Sequence, residues 1–293
     1  MVAVAFDHLA VGSYPEAVAS LAEYGDEAKV LAGGQSLLPM LNLRLVRPAV
    51  LIDITAADQR EPVLADGVLR LPALTRHRDL LEHPLIQQHC PLLPAAVWHI
   101  GNVRVRNRGT IGGSLAHADP TSELGACALV LGAQLVARGA GGERTLTADE
   151  LFVTYLTTAL TETEIITDVL IPAARPRQGW SFHEMVRRTS DFAIVAAAAW
   201  LELAPGSDDV TAVRVSLAGV ADRVVLAPAG LLAPLLGTTP GEAEFASVAA
   251  AIADSTDPGS DVHATAAYRQ RLAGVLTARA LRDAYARARE AGS

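Results

Sequence analysis

The chain has 293 residues, of which 51% are hydrophobic and 19% charged, with a formal net charge of −8. This composition supports buried cores, and the length suits two or three compact units rather than one. Without clustered Lys and Arg an acidic chain is poorly suited to phosphate backbones, so nucleic-acid binding is excluded. No run of eighteen apolar residues suggests a membrane span. The opening MVAVAFDHLAVGSYPEA lacks a basic region followed by a long apolar one, so it is not read as a secretory signal and the chain is expected to be cytoplasmic.

The first element in chain order is a helix. Ser13 and Glu16 form a capping pair with Pro15 between them, Ala17, Val18, Leu21 and Ala22 give an apolar face, and Gly25 ends it. Lys29 to Ala32 and Val50 to Ile54 read as strands of a small β-α-β unit. A hairpin is predicted between Val63 and Leu74 around Asp66-Gly67. Helical patterns follow near Arg76–Leu81 and Leu92–Ile100, then strands and turns from about 133 to 171, with a β-rich run over Glu164–Ile171. Pro172, Pro176 and Gly179 mark a boundary. Beyond it, strands are predicted over Trp180–Arg187, Ala193–Leu203 and Thr211–Gly219. Two or more helices follow. The last runs from about His263 to Glu290, with Leu272, Val275, Leu276, Ala280 and Leu281 as its apolar stripe and Arg on the other face. The expected segments are 1–57, 58–175 and 176–293.

Two glycine-rich segments stand out. Ala32-Gly33-Gly34-Gln35-Ser36 directly follows a strand, and Thr110-Ile111-Gly112-Gly113-Ser114 precedes Asp119-Pro120, a helix-start signal. Paired glycines let a backbone turn sharply and approach a ligand. Each alone also reads as an ordinary tight turn. Neither is a GxGxxG or a GxxxxGK[ST], so an anion held here would be held by backbone N–H and hydroxyl donors, and two such loops suit a dinucleotide diphosphate. Asp119 reads as an N-cap, and Glu123 as either a first-turn carboxylate or an acceptor for sugar hydroxyls. Arg104, Arg106 and Arg108 alternate and would share one side of an extended segment, as a solvated edge or as a docking or phosphate patch. Phe192, in an Arg-rich turn, either packs on a planar ligand or simply occupies the turn. Only two cysteines occur, Cys90 and Cys127, and the eight His are scattered without HExxH or CxxC. Neither an iron–sulfur cluster nor a structural zinc site is expected in this chain. No catalytic residue is assigned, and no nucleophile elbow is present.

The pairing of LAGGQSLLPMLNLRL with TIGGSLAHADPTSE, joined by DFAIVAAAAWLEL and AAYRQRLAGVLTARAL, resembles the flavoprotein subunits of the xanthine dehydrogenase and carbon monoxide dehydrogenase family over nearly the whole chain. The resemblance implies an α+β fold. Its parts are a vanillyl-alcohol-oxidase-type FAD domain of two α/β subdomains and a C-terminal three-stranded antiparallel sheet with helices. It places Leu31 to Ser36 and Thr110 to Ser114 around the FAD diphosphate, Asp119 and Glu123 near the cofactor, Ile166 near the isoalloxazine, and His183 where some relatives carry a Lys. Ser114 stands where many have Asn, and Gln35 where others have His or Asn. It further implies electron transfer from [2Fe–2S] clusters of a small partner subunit, through FAD, to an external acceptor. A large molybdopterin subunit would oxidise the substrate, in a dimer of heterotrimers. The competing readings are a self-contained flavin oxidase or dehydrogenase and a scaffold that has lost FAD.

Overall fold

The computed structural model describes residues 5–291. The first four residues of the stretch read against a secretory signal, and the outer ends of the first and third segments, lie outside it. The chain starts with β1 (Asp7–Ala10), then α1 (Tyr14–Tyr24), β2 (Ala28–Leu31), α2 (Leu37–Asn42) and β3 (Val50–Asp53). The Ser13 side chain accepts from the Glu16 amide and the Glu16 carboxylate accepts from the Gly12 amide, closing the start of α1 from both sides. The three strands are all parallel in the order β1-β3-β2, so their C-terminal ends share one edge. β1 was not visible as an element in the sequence, because as an edge strand it buries almost none of its side chains. Tyr14, Ala17, Val18 and Leu21 of α1 pack with Val50, Ile52 and Ala28 into a small core.

The next part contains β4 (Val63–Ala65) and β5 (Val68–Pro72), joined by Asp66 and Gly67, both at positive φ as a two-residue hairpin of this hand requires. Helices α3 (His77–Glu82), α4 (Pro84–His89), α5 (Leu92–Val97), α6 (Val103–Arg108), α7 (Ile111–His117) and α8 (Glu123–Leu131) follow. Then come β6 (Gln134–Gly139), β7 (Gly142–Thr147), a short α9 (Ala148–Leu151), a ribbon of β8 (Phe152–Thr154) and β9 (Thr157–Thr158), and β10 (Ile165–Pro172). The sheet is antiparallel in the order β4-β5-β10-β6-β7, with the last strand of the segment at its centre. Leu69, Leu71, Leu135, Val169 and Ile171 of this sheet meet Leu80, Leu93, Leu115 and Leu124 of the helices. Cys90 and Cys127 are free thiols buried in the same core, and burial pushes the Cys90 thiol up to about 12, which keeps it neutral and unreactive.

The C-terminal part is a meander of β11 (Gln178–Val186), β12 (Ala193–Leu203), β13 (Val210–Ala218) and β14 (Val225–Leu226), followed by α10 (Ala229–Leu232), α11 (Glu242–Asp254) and α12 (Ala266–Glu290). The sheet has four strands rather than the three expected. The fourth is two residues long, pairs only with Ser216 and Leu217, and is too short to leave a period-two signal. β12 is alanine-rich because both of its faces are covered. Ala196 and Ala198 face the core of the middle part, while Ala197, Ala199 and Leu201 face α11 and α12. Helix α12 lies directly on β11: a Cβ at Gly179 would be 1.9 Å from the Ala284 carbonyl oxygen. The arginine face expected for α12 is broken by Arg269. It is buried and donates to the carbonyls of Ile194 and Gly219 and to Asp261. Val275, expected in the stripe, is 41% exposed.

Candidate functional site

The loop after β2 is held at its two ends. Ile54 donates to the Leu31 carbonyl, and α2 starts when the Leu38 amide donates to Gly34. Between them, the amides of Gly33, Gly34, Gln35 and Ser36 have no acceptor among the described residues. Gly34 sits at φ +71, the left-handed region that favours glycine, while the Gln35 side chain donates to the Gly33 carbonyl and stiffens the turn. The result is a run of four successive N–H groups without acceptors, a set that can receive an anion.

The second glycine pair is not a turn. Thr110 caps α7, its hydroxyl accepting from the Gly113 amide at 3.2 Å, so Gly112 and Gly113 form the first turn of a helix and neither needs positive φ. The other starting amides are used as well, Ile111 by Thr75, Gly112 by Ala73 and Ser114 by Thr110. Gly112 is small for packing: a Cβ there would stand 2.5 Å from the Ala73 Cβ. An added Cβ at Gly113 would lie 2.7 Å from the Thr110 hydroxyl and 3.8 Å from the Ala32 Cβ of the first loop. Gly33 packs on the backbone just before Thr110, where an added Cβ would lie 2.3 Å from the Arg108 carbonyl oxygen and 2.8 Å from the Gly109 Cα. Two segments about eighty residues apart in sequence therefore touch backbone to backbone, with the free N–H groups all on the first.

His77, which the sequence did not single out, pins this junction. It is 3% exposed; its Nε2 lies 3.2 Å from the Thr110 carbonyl oxygen and 3.0 Å from the Ser114 hydroxyl, and its amide donates to Gly109. A carbonyl only accepts, so Nε2 carries the proton. Nδ1 is buried without a partner, and burial lowers the ring's pKa to about 4, leaving it neutral. The one signal for it in sequence was its place opening a helix next to Arg76, which does not distinguish it from any other helix start.

The remaining candidates are placed differently. Asp119 is not an N-cap. It accepts from the amide and hydroxyl of Thr121, and Ser122 caps α8 instead, because the chain turns at Ala118 (φ +52) before the helix begins. Glu123 opens α8. Desolvation, then the nearby charges of Glu184 and Asp119, push its carboxyl up to about 7. Glu184 of β11 bonds His99 at 3.1 Å and raises that ring's pKa, and its other carboxylate oxygen is buried without a partner. Ile166 is 4% exposed and committed to the core. His183 bonds Asp283 of α12 at 2.8 Å, on the face of β11 that carries Ser181 against the same helix. Strand alternation sends it away from Phe182 and Glu184, so the structure does not bring it to the glycine loops. Nor are the three arginines on an extended edge. Asn102 caps α6, and the helix turns Arg106 back onto the Ile100 and Gly101 carbonyls and over Trp98, leaving Arg104 and Arg108 exposed. Phe192 is 76% exposed.

No group of three or more His, Cys, Asp or Glu suited to a metal occurs among the described residues, and no helix there is long and apolar enough to cross a membrane. The model of the FAD binding domain in molybdopterin dehydrogenase matches residues 4–174, and that of the CO dehydrogenase flavoprotein C-terminal domain matches residues 180–284. The chain is 35% identical to the carbon monoxide dehydrogenase medium chain of Hydrogenophaga pseudoflava, over 98% of this chain and 99% of that one. It is 36% identical to subunit alpha of the 6-hydroxypseudooxynicotine dehydrogenase complex of Paenarthrobacter nicotinovorans, over 97% and 96%. A solved Hydrogenophaga pseudoflava carbon monoxide dehydrogenase, lacking the Mo-pyranopterin moiety of its molybdenum cofactor, superposes with a TM-score of 0.94 at 35% identity, covering 98% of this chain and 99% of that one. This chain therefore belongs to the FAD-binding family of the molybdopterin dehydrogenases, as a medium-chain flavoprotein subunit of an oxidoreductase complex.

Proposed function

We propose that the chain binds FAD with its diphosphate at the junction of the two glycine segments and passes electrons from [2Fe–2S] clusters of a small partner subunit to an external acceptor. The observation that carries this reading is the backbone contact of Gly33 with Arg108 and Gly109, which presents four unused amides beside the second segment. Those amides fit a diphosphate, since hydrogen bonds to a charged group contribute roughly 1.5–3 kcal/mol each. When bound, FAD supplies exchange between one-electron and two-electron carriers; the chain binds and orients it and shields it from water. Leu31 and Ala32 lead into the donor run, Gln35 stiffens it, Ser36 adds a side-chain donor, and Thr110, Ile111 and Ser114 hold the opposing wall. Glu123 is suited to sugar hydroxyls. Asp119 shapes the turn before Glu123, and Ile166 supports the floor from the core. His183 has no part in this arrangement.

The proposal extends to the assembly. A large molybdopterin subunit would oxidise the substrate and a small subunit would hold the clusters, in a dimer of heterotrimers. The segments 1–57, 58–175 and 176–293 remain the proposed division, supported by the three larger sheets, one in each segment. The test is the visible spectrum and subunit pattern of the complex captured through a tag on this chain. A flavin band with iron–sulfur absorbance and one larger and one smaller partner is expected. Flavin on a solitary chain that turns over an organic donor would replace the relay with a self-contained oxidase, and a colourless chain would leave a scaffold.

A further inference from the structure

The four free amides of the first loop carry no net charge, whereas a diphosphate carries two negative charges. Neither glycine segment contains a lysine; the chain's one lysine, Lys29, is exposed in β2. One guanidinium nevertheless reaches the junction. Arg76, between β5 and α3, donates from Nη1 to the Arg108 carbonyl, the same oxygen that lies against Gly33. Its amide donates to Asp79 at 3.4 Å, but among the described residues the other guanidinium nitrogens have no partner and no carboxylate lies within ion-pair distance of them. Burial first, and then the like charge of Arg108, lower its pKa; Asp79 and Asp53 act only from a distance. A half-buried cation without a carboxylate is costly unless an anion completes it. Gly33 follows β2, so the Arg108 carbonyl that Arg76 holds lies at the C-terminal edge of the parallel β1-β3-β2 sheet, where ligands of open parallel sheets bind.

We propose that Arg76 is the charge-neutralising contact of the FAD diphosphate, reaching over the Arg108 carbonyl toward the amides of Gly33 to Ser36, with Arg108 adding a second positive charge from the exposed side. This rests on the FAD reading above and adds the cation that the glycine segments lack. An arginine suits the place because its fork can hold the Arg108 carbonyl with one nitrogen and present the others to phosphate oxygens.

The experiment is FAD rebinding to the deflavinated full-length chain, followed by flavin fluorescence at several salt concentrations. Arg76→Gln, Arg76→Lys and the control Arg78→Gln are compared with wild type. Arg78 is exposed and already paired with Asp79, so its loss changes net charge equally without touching the junction. Arg76→Gln is expected to weaken FAD by roughly tenfold or more and to flatten the salt dependence, the effect of one charge-assisted bond. Arg78→Gln should leave both unchanged. Arg76→Lys keeps the charge and a donor for the carbonyl, so it should bind between the two and keep the wild-type salt dependence, which tests the charge even where Gln unfolds the loop. Arg76→Gln binding within about twofold of wild type, Arg78→Gln matching its loss, or Arg76→Lys losing salt dependence as Gln does would each overturn the assignment. A wild-type chain that takes up no FAD would overturn the FAD reading itself.

Discussion

At the scale of single residues, two desolvated titratable groups, the buried His77 and the partly exposed Glu123, act on stability in opposite directions. His77 has a folded pKa of about 4 against an ordinary 6.5, so the folded chain resists its protonation. Its contribution is complete above the ordinary value and is lost as pH falls toward the folded one. Urea melts of wild type and His77→Gln should therefore converge by about 2 kcal/mol on going from about pH 7 to about pH 5. Convergence should be accompanied by FAD release, since the same ring holds Thr110. Glu123 runs the other way. Its carboxyl is raised from 4.5 to about 7, so its stabilising contribution is present at low pH and lost as pH rises through the folded value. Glu123→Gln should then gain about 2 kcal/mol over wild type between about pH 5 and about pH 8. A flat difference would show that the carboxyl is solvated. Gly33 sets a third expectation. An alanine Cβ there meets a backbone carbonyl, which no side-chain rotation relieves. Gly33→Ala should cost about 1–3 kcal/mol of local packing and lower the flavin-to-protein ratio of purified chain while the C-terminal sheet keeps its structure.

Among elements, the close approach of α12 to β11 decides the C-terminal part. Gly179 is the point of contact, and Ser181 donates to the Ala280 carbonyl one step along the strand face. Gly179→Ala would force the helix off the sheet and should lower stability by about 1–3 kcal/mol, read as a drop in thermal midpoint without loss of flavin from the folded fraction. The elements also show what was legible. The α1 cap, the Asp66-Gly67 hairpin and strands β10 to β13 follow from local rules: a side chain capping its own helix, a turn needing positive φ, and apolar runs bounded by turn residues, which β10 and β12 bury on both faces. α6 was misjudged because alternating arginines read as strand, while Asn102 and Gly109 bound a helix. α7 was missed because glycine pairs signal a turn, and only the Thr110 cap with its contacts to Thr75 and Ala73 stabilises a helix there.

For the whole molecule, the middle core crosses from the FAD-binding part into the C-terminal sheet. Phe182, Ala196, Ala198 and Ala218 share it with Leu124 and Cys127, and the buried Ser216 hydroxyl donates to the Ala126 carbonyl at 2.7 Å. A chain cut after residue 175 would expose that face, so the two pieces should not refold separately, and the intact chain should melt in one calorimetric transition. Two resolved transitions would show that the parts are energetically independent. The sequence by itself determined the family and the cofactor class, because these depend on residue types at fixed spacing along the chain. Only the tertiary structure decided which glycine segment keeps free amides, that His77 and Arg76 stand at the junction, and that His183 faces α12. Hydrogen-bond occupancy and the direction of a side chain across a sheet depend on partners distant in sequence, which local patterns do not encode.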